Sequence, residues 1–289
     1  MSIIWTIAKS TFEDAIRKKI LQIFFVVAVG LIVMSIGFSQ AISFSTREGG
    51  VGDLMLIKSF GLGLMAVAGL LICVVLGVSL IPQEIERKTI YTILSKPVNR
   101  YEFIIGKFIG AAITLATCIG AMGIIFLITV TLKAYGLNSE AGMAKTATDL
   151  GSSAPASVQL FDINMVWGII LIYLQFMILS SVVIFFSVFL TPTVNFFMGS
   201  AVYIIGTMGT ITESIAKSGE LGSITSKLYW VIYHVIPNFD KFNVTNTMLH
   251  PETTIQNMGV YTGTQFIYSL MYAAVMALFA IIIFEKREV

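Results

Sequence analysis

Six stretches of the chain are almost wholly apolar and run for at least 19 residues: 20–38, 60–81, 104–132, 166–190, 193–211 and 264–284. They hold no acidic residue, arginine or histidine, and their one lysine, Lys107, stands near the start of the third. Crossing about 30 Å of hydrocarbon takes roughly 20 apolar residues in a helix. Lipid offers no partner for an open strand edge, so each stretch is predicted to be a helix. The pattern therefore predicts an all-α, polytopic membrane protein of a single membrane domain with six transmembrane helices.

The segments between these stretches carry their own signals. Before the first, residues 1–19 place Ile4, Ala8, Phe12 and Ala15 on one helical face, with Glu13–Arg17 and Asp14–Lys18 as i,i+4 pairs and Trp5 set to anchor at an interface. This reads as a helix lying on the membrane, or as an extension of the first span. Residues 133–165 are rich in Gly, Ala, Ser and Thr and are expected to form a mobile extracytoplasmic excursion, with Asp162 as N-cap of the fourth span. Spans four and five are joined by little more than Thr191-Pro192, threonine as N-cap and proline at the first helical position, which predicts a hairpin. Residues 212–263 form a second extracytoplasmic segment. Within it, residues 224–236 carry Tyr229, Trp230 and Tyr233, suited to a short helix at headgroup depth that stops at Pro237-Asn238.

Charge sets the expected orientation. With both termini cytoplasmic, the inner segments hold eleven of the eighteen Lys and Arg residues, including Lys9, Lys18, Arg87, Lys88, Arg100 and Lys107. That asymmetry is the positive-inside pattern. Only 12% of the chain is charged and the net charge is +2, which excludes a nucleic-acid-binding surface. Cys73 and Cys118 fall in apolar runs and read as small hydrophobes. The two histidines, His234 and His250, form no metal-binding motif, and no nucleophile–base arrangement is present, so no catalytic or metal site is expected. A phosphate-binding loop is missing as well: Gly106-Lys107 is followed by Phe108, and Tyr101 stands where the first glycine belongs. Gln22, Gln175, Asn195 and Gln265 are polar residues in or at the ends of spans, suited to hydrogen bonds between helices. The absence of acidic residues inside the apolar stretches weakens a secondary-transporter or proton-pump reading, so any energy must come from elsewhere.

The loop between spans two and three, residues 82–100, is the informative one. Ile90, Ile93, Leu94 and Pro97 form one side of a short helix and Arg87, Lys88, Tyr91, Thr92 and Ser95 another, with Glu84–Lys88 an i,i+4 pair. Pro97 ends this helix, and Asn99 with Glu102 three residues later has the form of a capping box that starts the third span at Arg100. The run Glu84-x-Glu86-Arg87-x-Thr89, then Ile93-Leu94-Ser95-x-Pro97-Val98-Asn99-Arg100 and Gly106-Lys107, resembles the coupling-helix segment of ABC-2 type exporter permeases. The N-terminal helix, the six spans, the Pro237-Asn238-Phe239 stop and the charged tail Glu285-Lys286-Arg287-Glu288 are similar too. Lys88 departs from the glycine common at that position, and a helix tolerates lysine better.

What the resemblance implies is a non-enzymatic permease subunit of an ABC exporter in the plasma (inner) membrane of a prokaryote. Two copies of a cytoplasmic ATPase would carry ATP and Mg, with no cofactor on this chain, and a second permease subunit, identical or related, would complete the complex. Glu84, Glu86, Arg87, Lys88, Thr89, Tyr91, Ile93, Leu94, Ser95, Pro97 and Arg100 would couple to the ATPase. Small residues that let helices approach, Gly61, Gly63, Gly206 and Gly209, are candidates for helix packing or the dimer interface. The alternative is a membrane domain that passes ATPase-driven force to an extracytoplasmic partner without moving a substrate.

Overall fold

The computed structural model describes residues 3–46, 51–80, 99–147, 162–209, 236–243 and 257–286. Among these are seven α-helices, a 3₁₀ turn at Asp240–Phe242 and no strand. The helices are α1 (Ile3–Ile16), α2 (Lys19–Thr46), α3 (Val51–Leu80), α4 (Arg100–Ala147), α5 (Ile163–Ser187), α6 (Pro192–Thr207) and α7 (Met258–Lys286). Five of them, α2, α3, α4, α5 and α7, are long and apolar enough to cross a membrane. The fifth expected span corresponds to α6, whose 16 residues make a helix of about 24 Å.

Two ion-based contacts bracket the apolar slab. At one end Lys58 of α3 pairs with Asp162 at 3.2 Å; at the other the Lys18 ammonium donates to the Ser79 carbonyl at 3.3 Å. From Lys58 to Ser79 is 21 residues of continuous helix (79 − 58), about 32 Å at 1.5 Å per residue, close to the hydrocarbon thickness. Asp162 is also the N-cap of α5, as expected, accepting from the Asn164 amide at 3.0 Å.

Helix α5 is the axis of the bundle: it packs against α3, α4, α6 and α7 and is the most buried of the spans. Close approach depends on glycines in α3. A Cβ at Gly61 would overlap the Phe126 ring of α4, one at Gly69 the Phe176 ring of α5, and one at Gly77 the Val183 side chain of α5. Gly199 of α6 meets the same Val183, so α5 is gripped from both sides. The hairpin between α5 and α6 forms as expected, with Thr191 at the N-cap and Pro192 at the first helical position, although the threonine hydroxyl makes no capping bond.

Three expectations change. The chain breaks at Arg17 and Lys18, so α1 is not an extension of the first span; it packs chiefly on α4 rather than on α2. Ala8, Thr11 and Ala15 are its buried residues, while Ile4 and Phe12 are half-buried and Trp5 is exposed. The helix of the third span does not stop near Leu132 but runs on to Ala147, so the first 15 residues of the expected mobile excursion (133–147) are helical. Ala, Leu, Lys and Glu outnumber Gly136 and Gly142 there, and summed helix propensity outweighs the polar composition. Third, residues 236–243 are not wholly at the surface: Pro237, Phe239 and Phe242 are buried in the bundle, while Lys241 and Asn243 are exposed.

Candidate functional site

Most of the expected coupling residues, Glu84, Glu86, Arg87, Lys88, Thr89, Tyr91, Ile93, Leu94, Ser95 and Pro97, lie outside the described residues, as does the helix expected over 224–236. Asn99 and Arg100 are described, and so is the frame that holds both ends of the loop. On the α3 side, Lys18 caps the last turn of the helix through the Ser79 carbonyl. On the α4 side, the Asn99 amide donates to the Glu102 carboxylate at 3.0 Å, which is the reciprocal half of a capping box, and α4 begins at Arg100 as expected. The Arg100 guanidinium then donates to the carbonyls of Phe284 and Glu285 at 3.3 and 3.2 Å, where cation and helix C-terminus attract. Phe103 stacks on Phe284 at 6.0 Å, and the buried Lys107 ammonium lies 5.5 Å from the Phe103 ring. The loop is thus tied at one end to the start of α2 and at the other to the end of α7.

A second feature stiffens this frame. Gly106 and Gly110 open a notch in α4 that receives α1: a Cβ at Gly106 would stand 2.8 Å from the Ile7 Cβ, and one at Gly110 2.6 Å from the Thr11 Cβ. The Gly-x-x-x-Gly spacing was visible in the sequence, but nothing there said that α1 fills it.

Of the four candidate packing glycines, Gly61 receives Phe126 within the chain. Gly206 and Gly209 receive Phe239 and Asn238 of the descending segment, also within the chain. Gly63 is exposed, with nothing near where a Cβ would stand.

Phe239 stacks on Tyr203 at 5.8 Å, and Tyr203 on Phe176 at 5.8 Å, the residue that packs on Gly69. The α3 residues beside this segment, Leu62 to Ala66, lie 4 to 8 residues from Lys58 (62 − 58 and 66 − 58), about 6–12 Å into the slab. Irregular backbone persists at such depth only when protein satisfies it. Here the Phe239 amide donates to the Gly206 carbonyl at 2.9 Å, the Asp240 amide to Asn238 Oδ1 at 3.1 Å, and the Tyr261 hydroxyl to the Lys241 carbonyl at 2.6 Å. Beside this segment is a cavity of about 120 Å³, lined by Leu62, Gly63 and Ala66 of α3, Gly168, Ile172 and Gln175 of α5, Tyr203 and Thr207 of α6, and Asp240, Phe242 and Asn243. Asp240, half-buried at this cavity, is an acidic residue that lies outside every apolar stretch of the sequence. Its signal in the sequence was the Pro237-Asn238-Phe239 stop directly before it.

The sequence model of the family described as ABC-2 family transporter protein matches residues 5–289. The chain belongs to that family. As an ABC-2 permease it is a multi-pass membrane component of an ABC transporter, and the ATPase activity of such transporters resides in separate subunits. Comparison with curated proteins gives no match. Among the described residues of the permease no group of three or more His, Cys, Asp or Glu residues is placed to hold a metal.

Proposed function

We propose that the permease is the membrane half of a prokaryotic exporter in the plasma (inner) membrane. Two copies of a cytoplasmic ATPase, carrying ATP and Mg, would drive two permease subunits, identical or related. In this reading the Lys18 end of the bundle is cytoplasmic, both termini lie on that side, and α6 belongs to a sixth membrane crossing. Residues 84–100 are the lever that the ATPase moves. The observation that supports the lever is its anchorage: Lys18 on Ser79 and Arg100 on the end of α7. A loop tied at both ends passes a displacement to α2, α4 and α7 together, which suits a rigid-body switch between access states. ATP binding supplies the differential free energy between those states. Exposed Gly63 remains available to a second permease, whereas Gly61, Gly206 and Gly209 serve packing within the chain.

Purification through a tag on this chain tests the reading. A P-loop protein should co-purify in equal amount, and Arg100→Ala should leave it bound while reducing substrate-stimulated hydrolysis, because the lever stays docked but loses its hold on α7. Full stimulated activity in Arg100→Ala would remove the anchorage from the mechanism.

A further inference from the structure

We infer that the membrane-depth cavity beside Asp240 binds a small organic cation, an alkyl- or hydroxyalkyl-ammonium of up to about ten heavy atoms. The size follows from the volume: about 120 Å³, at some 10–15 Å³ for each water-sized occupant, accommodates roughly eight to twelve such centres. The sign of charge follows from three observations. Among the described residues of the lining, Asp240 is the one carboxylate and none is Lys, Arg or His. Helix α6 ends at Thr207, itself a lining residue, so the negative end of its dipole points to the same space. Lys58, one turn above Leu62, already pairs with Asp162 and so does not serve Asp240.

The remaining walls select an organic ion over a bare metal. Calcium-sized cations ask for six to eight oxygens, whereas Leu62, Ala66, Ile172 and Phe242 make much of this surface apolar. Gln175 and Asn243 line the cavity and carry amides of the kind that recognise a hydroxyl. An acidic residue held at membrane depth is itself a mark of a functional site, and the cation is the partner it lacks among the cavity's own side chains. The inference concerns binding by this chain and holds whether or not residues 84–100 couple to an ATPase.

The test uses the full chain in nanodiscs of phosphatidylglycerol, with choline as probe and equilibrium dialysis as readout. Choline should bind saturably at one site per chain. The neutral isostere 3,3-dimethylbutan-1-ol should bind at least about tenfold more weakly, the loss expected when a charge-assisted contact is removed. Asp240→Asn should weaken choline by about tenfold or more. Gly63→Leu provides a variant independent of Asp240: a Cβ there meets nothing within 4 Å, so the fold tolerates the side chain, which enters the cavity mouth and should reduce binding to a similar degree. Replacing half the lipid by phosphatidylcholine separates two sources of the same chemistry, since competition assigns the site to a lipid headgroup and its absence to a free amine. No saturable choline binding, equal binding of the isostere, or full binding by both folded variants overturns the proposal.

Discussion

Replacing Gly110 by leucine should lift α1 from α4. A Cβ at Gly110 meets the Thr11 Cβ at 2.6 Å and the Ala8 carbonyl oxygen at 2.8 Å. The second contact is backbone, so no rotamer relieves it and the helix itself has to shift. Overpacking of this kind costs about 1–3 kcal/mol. Docking is held by the buried methyls of Ala8, Thr11 and Ala15, about 2.4 kcal/mol at roughly 0.8 kcal/mol each against water, and less where lipid takes the place of water. The two terms are of equal size, so strain shifts the docking equilibrium by about 2 kcal/mol, roughly thirtyfold. Hydrogen exchange of the full chain in nanodiscs reads this directly: amides in the second half of α1 should exchange about ten- to thirtyfold faster, with α5 unchanged. Gly120→Leu is the control on the same helix, because a Cβ at Gly120 meets nothing within 4 Å and both variants gain equal helix propensity. Unchanged protection of α1 in Gly110→Leu, or the same acceleration in Gly120→Leu, would refute the notch.

Asp162→Ala should destabilise the permease more than Lys58→Ala, by about 1 kcal/mol in thermal unfolding, because it removes an N-cap as well as an ion pair; equal losses would show that the cap contributes nothing. Neither polar atom of the buried Asn195 side chain has a hydrogen-bond partner, so Asn195→Leu should be neutral or stabilising by about 1–2 kcal/mol, and a loss of more than 1 kcal/mol would mean that the amide is satisfied. In a background without Cys73 and Cys118, single cysteines at Ser153 and Ser218 should react with an impermeant thiol reagent in intact cells and one at Ser95 should not; the reverse pattern would invert the orientation.

Hydropathy pointed to the five helices long and apolar enough to cross a membrane because burial in lipid depends on composition, and the caps at Asp162 and Asn99–Glu102 were legible because capping is a local matter of a few residues. What escaped was long-range. Lys58 and Asp162 are 104 residues apart in sequence, and Ile7 and Thr11 of α1 meet Gly106 and Gly110 of α4 across 99 residues (106 − 7 and 110 − 11), so neither contact leaves a local trace. Gly206 and Gly209 looked suited to a partner helix, yet their space is taken by Asn238 and Phe239 of the same chain. Asp240 was hidden for a related reason: a window of apolar residues finds charges within a span, not a charge that a loop carries back into the bundle. The C-terminal end of the third helix was misjudged because an apolar window marks the lipid boundary, whereas a helix such as α4 continues for as long as its backbone propensity allows.

The central claim is that residues 84–100 join these spans to an ATPase. Ile93→Asp or Leu94→Asp would place a carboxylate in an apolar contact without a partner, and charge reversal at Glu86 or Arg87 would remove charge-assisted contacts of about 1–3 kcal/mol each. Membrane insertion should survive, since the flanking helices are untouched. Co-purification of the P-loop subunit with the tagged permease, measured beside ATPase activity, decides the matter. The account predicts that Ile93→Asp and Leu94→Asp lose the ATPase and the charge reversals retain less of it. Full assembly and full activity in all four variants would contradict it.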